Sequence, residues 1–214
     1  MHPPLLLTAL LIGTPAALAT IHTTCYNYFL QKDRCVFASA DNRTRCNASP
    51  HAPKASVMRM QHPHHSHHSH HSQHALQRRY DTTDKSFIMS PGEGVCGPYT
   101  DDEAGACLWV GTDAKNGGDP ATAGWLNGGK TSNCYKQLYI KRQGEGHPAV
   151  YARVLDACDF GTRKPEKGCF QIYLTNKTFY DLHPTKKERQ DGALYNITWD
   201  FNNLEGADPR FGPV

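Results

Sequence analysis

After residue 19 the chain has no apolar stretch of the roughly 20 residues that a membrane-spanning helix needs. It also has no hydrophobic C-terminal tail of the kind that precedes a lipid anchor. No membrane partner is therefore expected. There is little net charge: 23 Lys and Arg against 20 Asp and Glu leave +3, scattered along the chain. That balance gives no basic footprint for nucleic acid. No Cys-x-x-Cys pair occurs, so a zinc framework is a weak reading of the cysteines. The first residues carry no Lys or Arg, only His2.

What is present points outside the cell. Leu5 to Gly13 is an apolar run, followed by Pro15 and by Ala17-Leu18-Ala19, a small-x-small cleavage pattern. Residues 1–19 are read as a signal peptide, cut after Ala19. The eight cysteines, Cys25, Cys35, Cys46, Cys96, Cys107, Cys134, Cys158 and Cys169, all follow that cut. An even number in a secreted chain reads as a disulfide framework, with connectivity left open and Cys158–Cys169 as a candidate local bridge. Asn-x-Ser/Thr sequons begin at Asn42, Asn47, Asn176 and Asn196 and mark candidate N-glycosylation sites.

Composition divides the remainder. Residues 20–50 hold three Cys and two sequons with little sustained apolar periodicity. Residues 51–79 are low complexity, with eight His among the thirteen residues 62–74. Such a tract cannot bury a core and is expected to be a disordered linker. Its neutral imidazoles, among them His64, His65, His67, His68, His70 and His71, are candidate ligands for zinc, copper or nickel, with no cofactor required. The alternative is a pH-responsive linker. It ends in Arg78-Arg79, a candidate dibasic processing site. Because three Cys precede the tract and five follow it, complete intramolecular pairing requires an odd number of bridges across it.

From Tyr80 to about residue 205 the pattern is mainly β, with a tail at 206–214. Gln137 to Ile140 is a short strand. Val150 to Leu155 alternates, with Val150, Ala152 and Val154 on one face. Tyr195 to Phe201 places Tyr195, Ile197, Trp199 and Phe201 inward, leaving Asn196, Thr198 and Asp200 for solvent. Thr175 to Leu182 reads as a short helix capped by Thr175, and Asn127-Gly128-Gly129 and Gly144-Glu145-Gly146 read as turns. Short strands, many turns and one small helix describe a small β-barrel.

Three motifs in order carry a resemblance. Gly124-Trp125-Leu126-Asn127-Gly128-Gly129 is similar to the "Gly-Trp-Tyr-Asn-Gly-Gly" turn of the kiwellins. Val154-Leu155-Asp156-Ala157-Cys158-Asp159 is similar to their "Val-Val-Asp-Glu-Cys-Asp". Asn196-Ile197-Thr198-Trp199 is similar to their closing "Asp-Ile-Thr-Trp". The resemblance covers about residues 85 to 203 and implies the six-stranded double-psi β-barrel shared by barwin, expansins, family-45 endoglucanases and rare lipoprotein A. The N-terminal segment is sparser in Cys than the kissper module of plant kiwellins, and the His tract is foreign to the pattern.

The resemblance further implies a surface groove with Asp156 on its floor, where expansins keep an Asp for polysaccharide. The structural alternative is that Asp156 caps backbone N–H groups beside Cys158. Where the related hydrolases carry an acidic "Asp-Leu-Ser" step, this chain has Tyr173-Leu174-Thr175, and a phenol titrating near pH ~10 is a poor general acid. Catalysis is therefore not expected. Candidate ligand-binding residues are Asp156, Trp125, Tyr173, Tyr151, Trp109 and Asp159, with Tyr99 and Tyr135 as further aromatics; Trp199 reads as core. The leading expectation is a secreted, non-catalytic binder of cell-wall polysaccharide, of the β-glucan type. A module that grips a secreted protein is the alternative, and a glycoside-cleaving or lytic enzyme is third.

Overall fold

The protein is described from a computed structural model, which covers residues 21–46, 80–115, 117–143, 148–203, 208 and 210–214. The expected signal peptide, the His-rich tract with Arg78 and Arg79, Asn47 and the expected turn at Gly144 to Gly146 lie outside the described residues.

The N-terminal segment contributes a helix, α1 (Thr24–Asp33), that periodicity does not announce. Thr23 caps it by accepting from the Tyr26 amide, and Arg34 ends it in the left-handed conformation at φ 63°. Its buried residues, Cys25, Tyr26 and Phe29, make a narrow stripe flanked by polar positions, too narrow for an amphipathic signal. Ten strands follow: β1 (Tyr80–Asp81), β2 (Ser86–Phe87), β3 (Gly92–Gly94), β4 (Gly97–Tyr99), β5 (Gly105–Trp109), β6 (Gln137–Arg142), β7 (Val150–Cys158), β8 (Ile172–Leu174), β9 (Ala193–Leu194) and β10 (Ile197–Phe201). Among the described residues three short α-helices lie between them, α2 (Pro165–Gly168), α3 (Asn176–Asp181) and α4 (Lys186–Asp191), with a single 3-10 turn at Pro120–Thr122.

Six strands form one curled sheet, a half-barrel, in the order β1-β10-β6-β7-β5-β8. All its pairings are antiparallel except β5 with β7. The expected strands at 137–140 and 150–155 are present and longer. The expected helix is α3, with Thr175 accepting from the Thr178 amide.

The inner face of the sheet carries Leu108, Leu138, Ile140, Val154, Ile172, Trp199 and Phe201, and α1 packs Tyr26 and Phe29 into the same core. Phe29 stacks at 4.5 Å on Tyr80 and at 6.0 Å on Trp125. The N-terminal segment thus completes the core of the sheet. Residues 210–214 also belong to this body. The Val214 amide donates to Asn133 Oδ1 (3.1 Å), and the Val214 carbonyl accepts from the Thr23 hydroxyl (2.7 Å).

Two expectations are corrected. Thr198 and Asp200 do not face solvent: both are buried, because β10 lies between β1 and β6 and the 36–46 segment closes over its end. Arg45 donates to the Asn203 carbonyl (2.7 Å), and Asn203 donates to the Ala38 carbonyl (2.9 Å). Burial pushes the Asp200 carboxyl well above the usual carboxylate range. Asn196 is exposed, as the sequon suggests.

Cys158 does not pair with Cys169. The parallel register of β5 and β7 brings Cys107 to Cys158, and α2 turns Cys169 toward α1, where it bonds Cys25. The other bridges are Cys35–Cys46 and Cys96–Cys134. One bridge, Cys25–Cys169, joins the N-terminal segment to the remainder, as the parity of the cysteines requires. It spans 144 positions, for which loop-closure entropy gives about 5 kcal/mol. Four disulfides suit an oxidising compartment. No described helix is long and apolar enough to cross a membrane.

Candidate functional site

Simple alternation along β7 would put Asp156 on the inner face with Ala152 and Val154. A bulge prevents this: Ala106 pairs with Val154, but the next residue, Cys107, pairs with Asp156 and skips Leu155. Leu155 and Cys158 therefore pack in a second, smaller cluster on the outer face, with Met89, Tyr99, Cys107, Phe160 and Tyr173.

Asp156 anchors that face. Its Oδ1 accepts from the Val95 and Ala157 amides, both at 2.7 Å. The Tyr99 hydroxyl lies 3.3 Å from Asp156 Oδ2 and 2.9 Å from the Ser90 carbonyl, sharing one proton between them. Burial, and then the charge of Asp156, push the Tyr99 phenol up to about 12. The hairpin β3–β4 is thereby tied to β7. Gly94 allows the approach, since a Cβ there would sit 2.8 Å from Asp156 Cγ. The capping alternative for Asp156 is thus realised. Asp156 as a whole is half-buried.

Aromatic rings flank it on both sides. Tyr135 is 53 % exposed and held in the left-handed region at φ 60°, a strained setting for a bulky residue. Its hydroxyl donates to the Cys96 carbonyl, one residue beyond Val95 and beside the Cys96–Cys134 bridge. On the other side, Cys107 separates Asp156 from Tyr173 by one strand. Tyr173 meets Phe160 at 4.6 Å and Phe87 at 5.5 Å, the latter edge to face. Burial, then the charges of Asp84 and Asp159, raise the Tyr173 phenol above its ordinary value.

The remaining candidates are placed differently. Trp109 and Trp125 have no exposed surface; both belong to the inner core, and their indole N–H groups donate to the Thr162 and Cys169 carbonyls at 3.2 and 3.0 Å. Gly168 exists to admit Trp109, because a Cβ there would fall 2.2 Å from the indole. Neither ring is offered to a ligand. Tyr151 is 52 % exposed, opposite Tyr139 and toward the start of β7. Asp159 is engaged by Arg163 (2.9 Å) and the Gly161 amide (2.9 Å), and the Arg163 contact lowers its pKa. Asn42 is exposed and Asn176 half-buried at the start of α3.

Beside Tyr173 lies a small cleft that the sequence reading did not name. Phe87, Phe160 and Tyr173 line it, with Asp84, Lys85, Lys167 and Gln171. These residues come from four separate stretches without a shared motif, so only folding assembles them. Among the described residues no group of three His, Cys, Asp or Glu gathers to hold a metal. No protein-family model and no curated protein matches this chain.

Proposed function

We propose that this is a secreted, glycosylated, kiwellin-like protein that binds a β-linked cell-wall polysaccharide on the outer face of a double-psi type barrel, without cleaving it. The observation that carries the reading is the pairing of a fixed carboxylate with surface rings: Asp156 is held by two amides and flanked by the exposed Tyr135 and the half-buried Tyr173. Sugars are bound by aromatic faces together with a few placed hydrogen-bonding groups. Tyr173 is presented from the sheet and Tyr135 from a turn tied to the β3–β4 hairpin by the Cys96–Cys134 bridge, so little ordering is needed on binding.

A non-catalytic role is supported by the state of Tyr173. A phenol raised above its ordinary value holds its proton too tightly to serve as a general acid at neutral pH. Asp84 is the carboxylate nearest in function to a replacement, since it lines the cleft beside Tyr173. The His-rich tract would chelate zinc, copper or nickel without being needed for polysaccharide.

The test is retention of the purified secreted chain on insoluble β-1,3-glucan, cellulose and chitin, with reducing ends assayed in the supernatant, with and without chelator. Retention without sugar release, lost in Tyr135→Ala and Tyr173→Ala, is the expected result. Released reducing ends that vanish in Asp84→Asn would make the protein a hydrolase. No retention on any polymer would overturn the wall-binding reading in favour of a protein partner.

A further inference from the structure

The cleft beside Tyr173 has three properties that together select a ligand group. Its rings do not form a flat platform: Phe87 stands at 78° to Tyr173, and Phe160 at 55°. Rings set in this way enclose a corner, which suits a methyl group better than the face of a pyranose. The space is small, about 70 Å3.

The second property is an acceptor without a donor. Gln171 is the one buried residue among the lining side chains, at 5 % exposure. Its Nε2 donates to the Lys85 carbonyl, which fixes the amide orientation and leaves Oε1 as the free end. That Oε1 is buried and has no hydrogen-bond partner. A buried unsatisfied acceptor is unfavourable, and a ligand N–H or O–H would relieve it.

The third is charge. The rim carries Asp84, Lys85 and Lys167, of mixed sign, and the Lys85 ammonium lies 5.2 Å over the Tyr195 ring. With one carboxylate against two ammoniums, one of them drawn over Tyr195, the rim accommodates a neutral group.

We propose that the cleft is a specificity pocket for the acetamido group of an N-acetylhexosamine, so that the polymer preferred by the groove is a β-1,4-glucan chain bearing acetamido groups. The methyl fills the corner of Phe87, Phe160 and Tyr173, and the amide N–H donates to Gln171 Oε1. This rests on the wall-binding reading for the groove and adds the substituent that the groove selects.

The experiment is calorimetric titration of the full secreted chain with tri-N-acetylchitotriose and with cellotriose, which has the same β-1,4 backbone but no acetamido group. The acetylated trimer is expected to bind at least about ten-fold more tightly. Phe87→Ala, at an exposed ring whose loss spares the fold, should remove most of that preference, as should Gln171→Leu. Tyr135→Ala should weaken both trimers alike. Equal affinity for the two trimers overturns the pocket even where cellotriose binds and the wall-binding reading survives. An acetyl preference untouched by Phe87→Ala and Gln171→Leu also overturns it. Binding of the acetylated trimer alone, sensitive to Phe87→Ala, supports the pocket even where glucan and cellulose retain nothing.

Discussion

The inner core holds three indoles, and none reaches solvent. Trp109, Trp125 and Trp199 each send the N–H to a main-chain carbonyl, of Thr162, Cys169 and Phe170, at 3.2, 3.0 and 2.8 Å. The outer face holds phenyl and phenol rings instead: Phe87, Tyr135 and Tyr151 keep 39, 53 and 52 % of their surface exposed. A buried indole needs one fixed acceptor, and loop carbonyls around α2 supply all three. A phenol can leave its hydroxyl in water, so it tolerates a surface. Each buried indole here has its acceptor supplied, so a glycine-rich neighbourhood such as that of Trp125 says little about exposure.

The comparison breaks most visibly at Trp125. If its role is core packing, Trp125→Ala should destabilise by about 3–5 kcal/mol, since it removes a large ring stacked among Phe29, Tyr80 and Phe201 and leaves a cavity. Trp125→Phe should cost less, chiefly the orphaned Cys169 carbonyl. Urea unfolding followed by polymer retention of the folded fraction checks both. Trp125→Phe with unchanged stability but lost retention would place this ring in the binding surface and end the distinction between the faces.

A second contrast concerns charge. Apart from the buried Arg142–Glu188 pair, the charged pairs lie in solvent; within, Lys136 is 7 % exposed and is held by Asn133 Oδ1 (3.0 Å) and the Gly212 carbonyl. Burial, and then Lys130, lower its pKa from 10.5 to about 8. Between those values the unfolded chain binds the extra proton, so stability should rise with pH from about 8, by up to about 3 kcal/mol. Above pH 10 the raised phenol of Tyr80 acts in the opposite direction and closes the window. Lys136→Met should flatten the rise in melting temperature between pH 8 and 10. A rise that persists in that variant would assign it to another group.

Much of this was legible in residues. The alternation of Val150, Ala152 and Val154, the Thr175 cap and the parity of the cysteines are local or arithmetical signals, and all three correspond to features of the structure. What stayed hidden is long-range. The bulge at Leu155 that turns Asp156 outward depends on β5, far away in the chain. The polar face of β10 is buried because the 36–46 segment arrives from before residue 47 to cover it. Local alternation assumes water on one side of a strand, and here another segment has taken its place. The cleft residues Asp84, Phe87, Phe160, Gln171 and Tyr173 carry no pattern at all until the strands align.

The smallest effect sharpens the comparison most, because Asp156 serves both scaffold and surface. In Asp156→Asn the side-chain oxygen can still accept from the Val95 and Ala157 amides, and Nδ2 can donate to the Tyr99 hydroxyl, which in turn donates to the Ser90 carbonyl. The hydrogen bonds survive and only the charge goes, so stability should change by less than about 1 kcal/mol. The Tyr99 phenol should fall below about 12, since one cause of its rise is removed while burial remains. Ultraviolet titration of tyrosinate reads that fall and reports that the pair is intact. Polymer retention then divides the two roles of the carboxylate. A several-fold loss at unchanged melting temperature means that the charge meets the ligand; full retention means that Asp156 only ties the β3–β4 hairpin to β7, and that the rings alone hold the sugar.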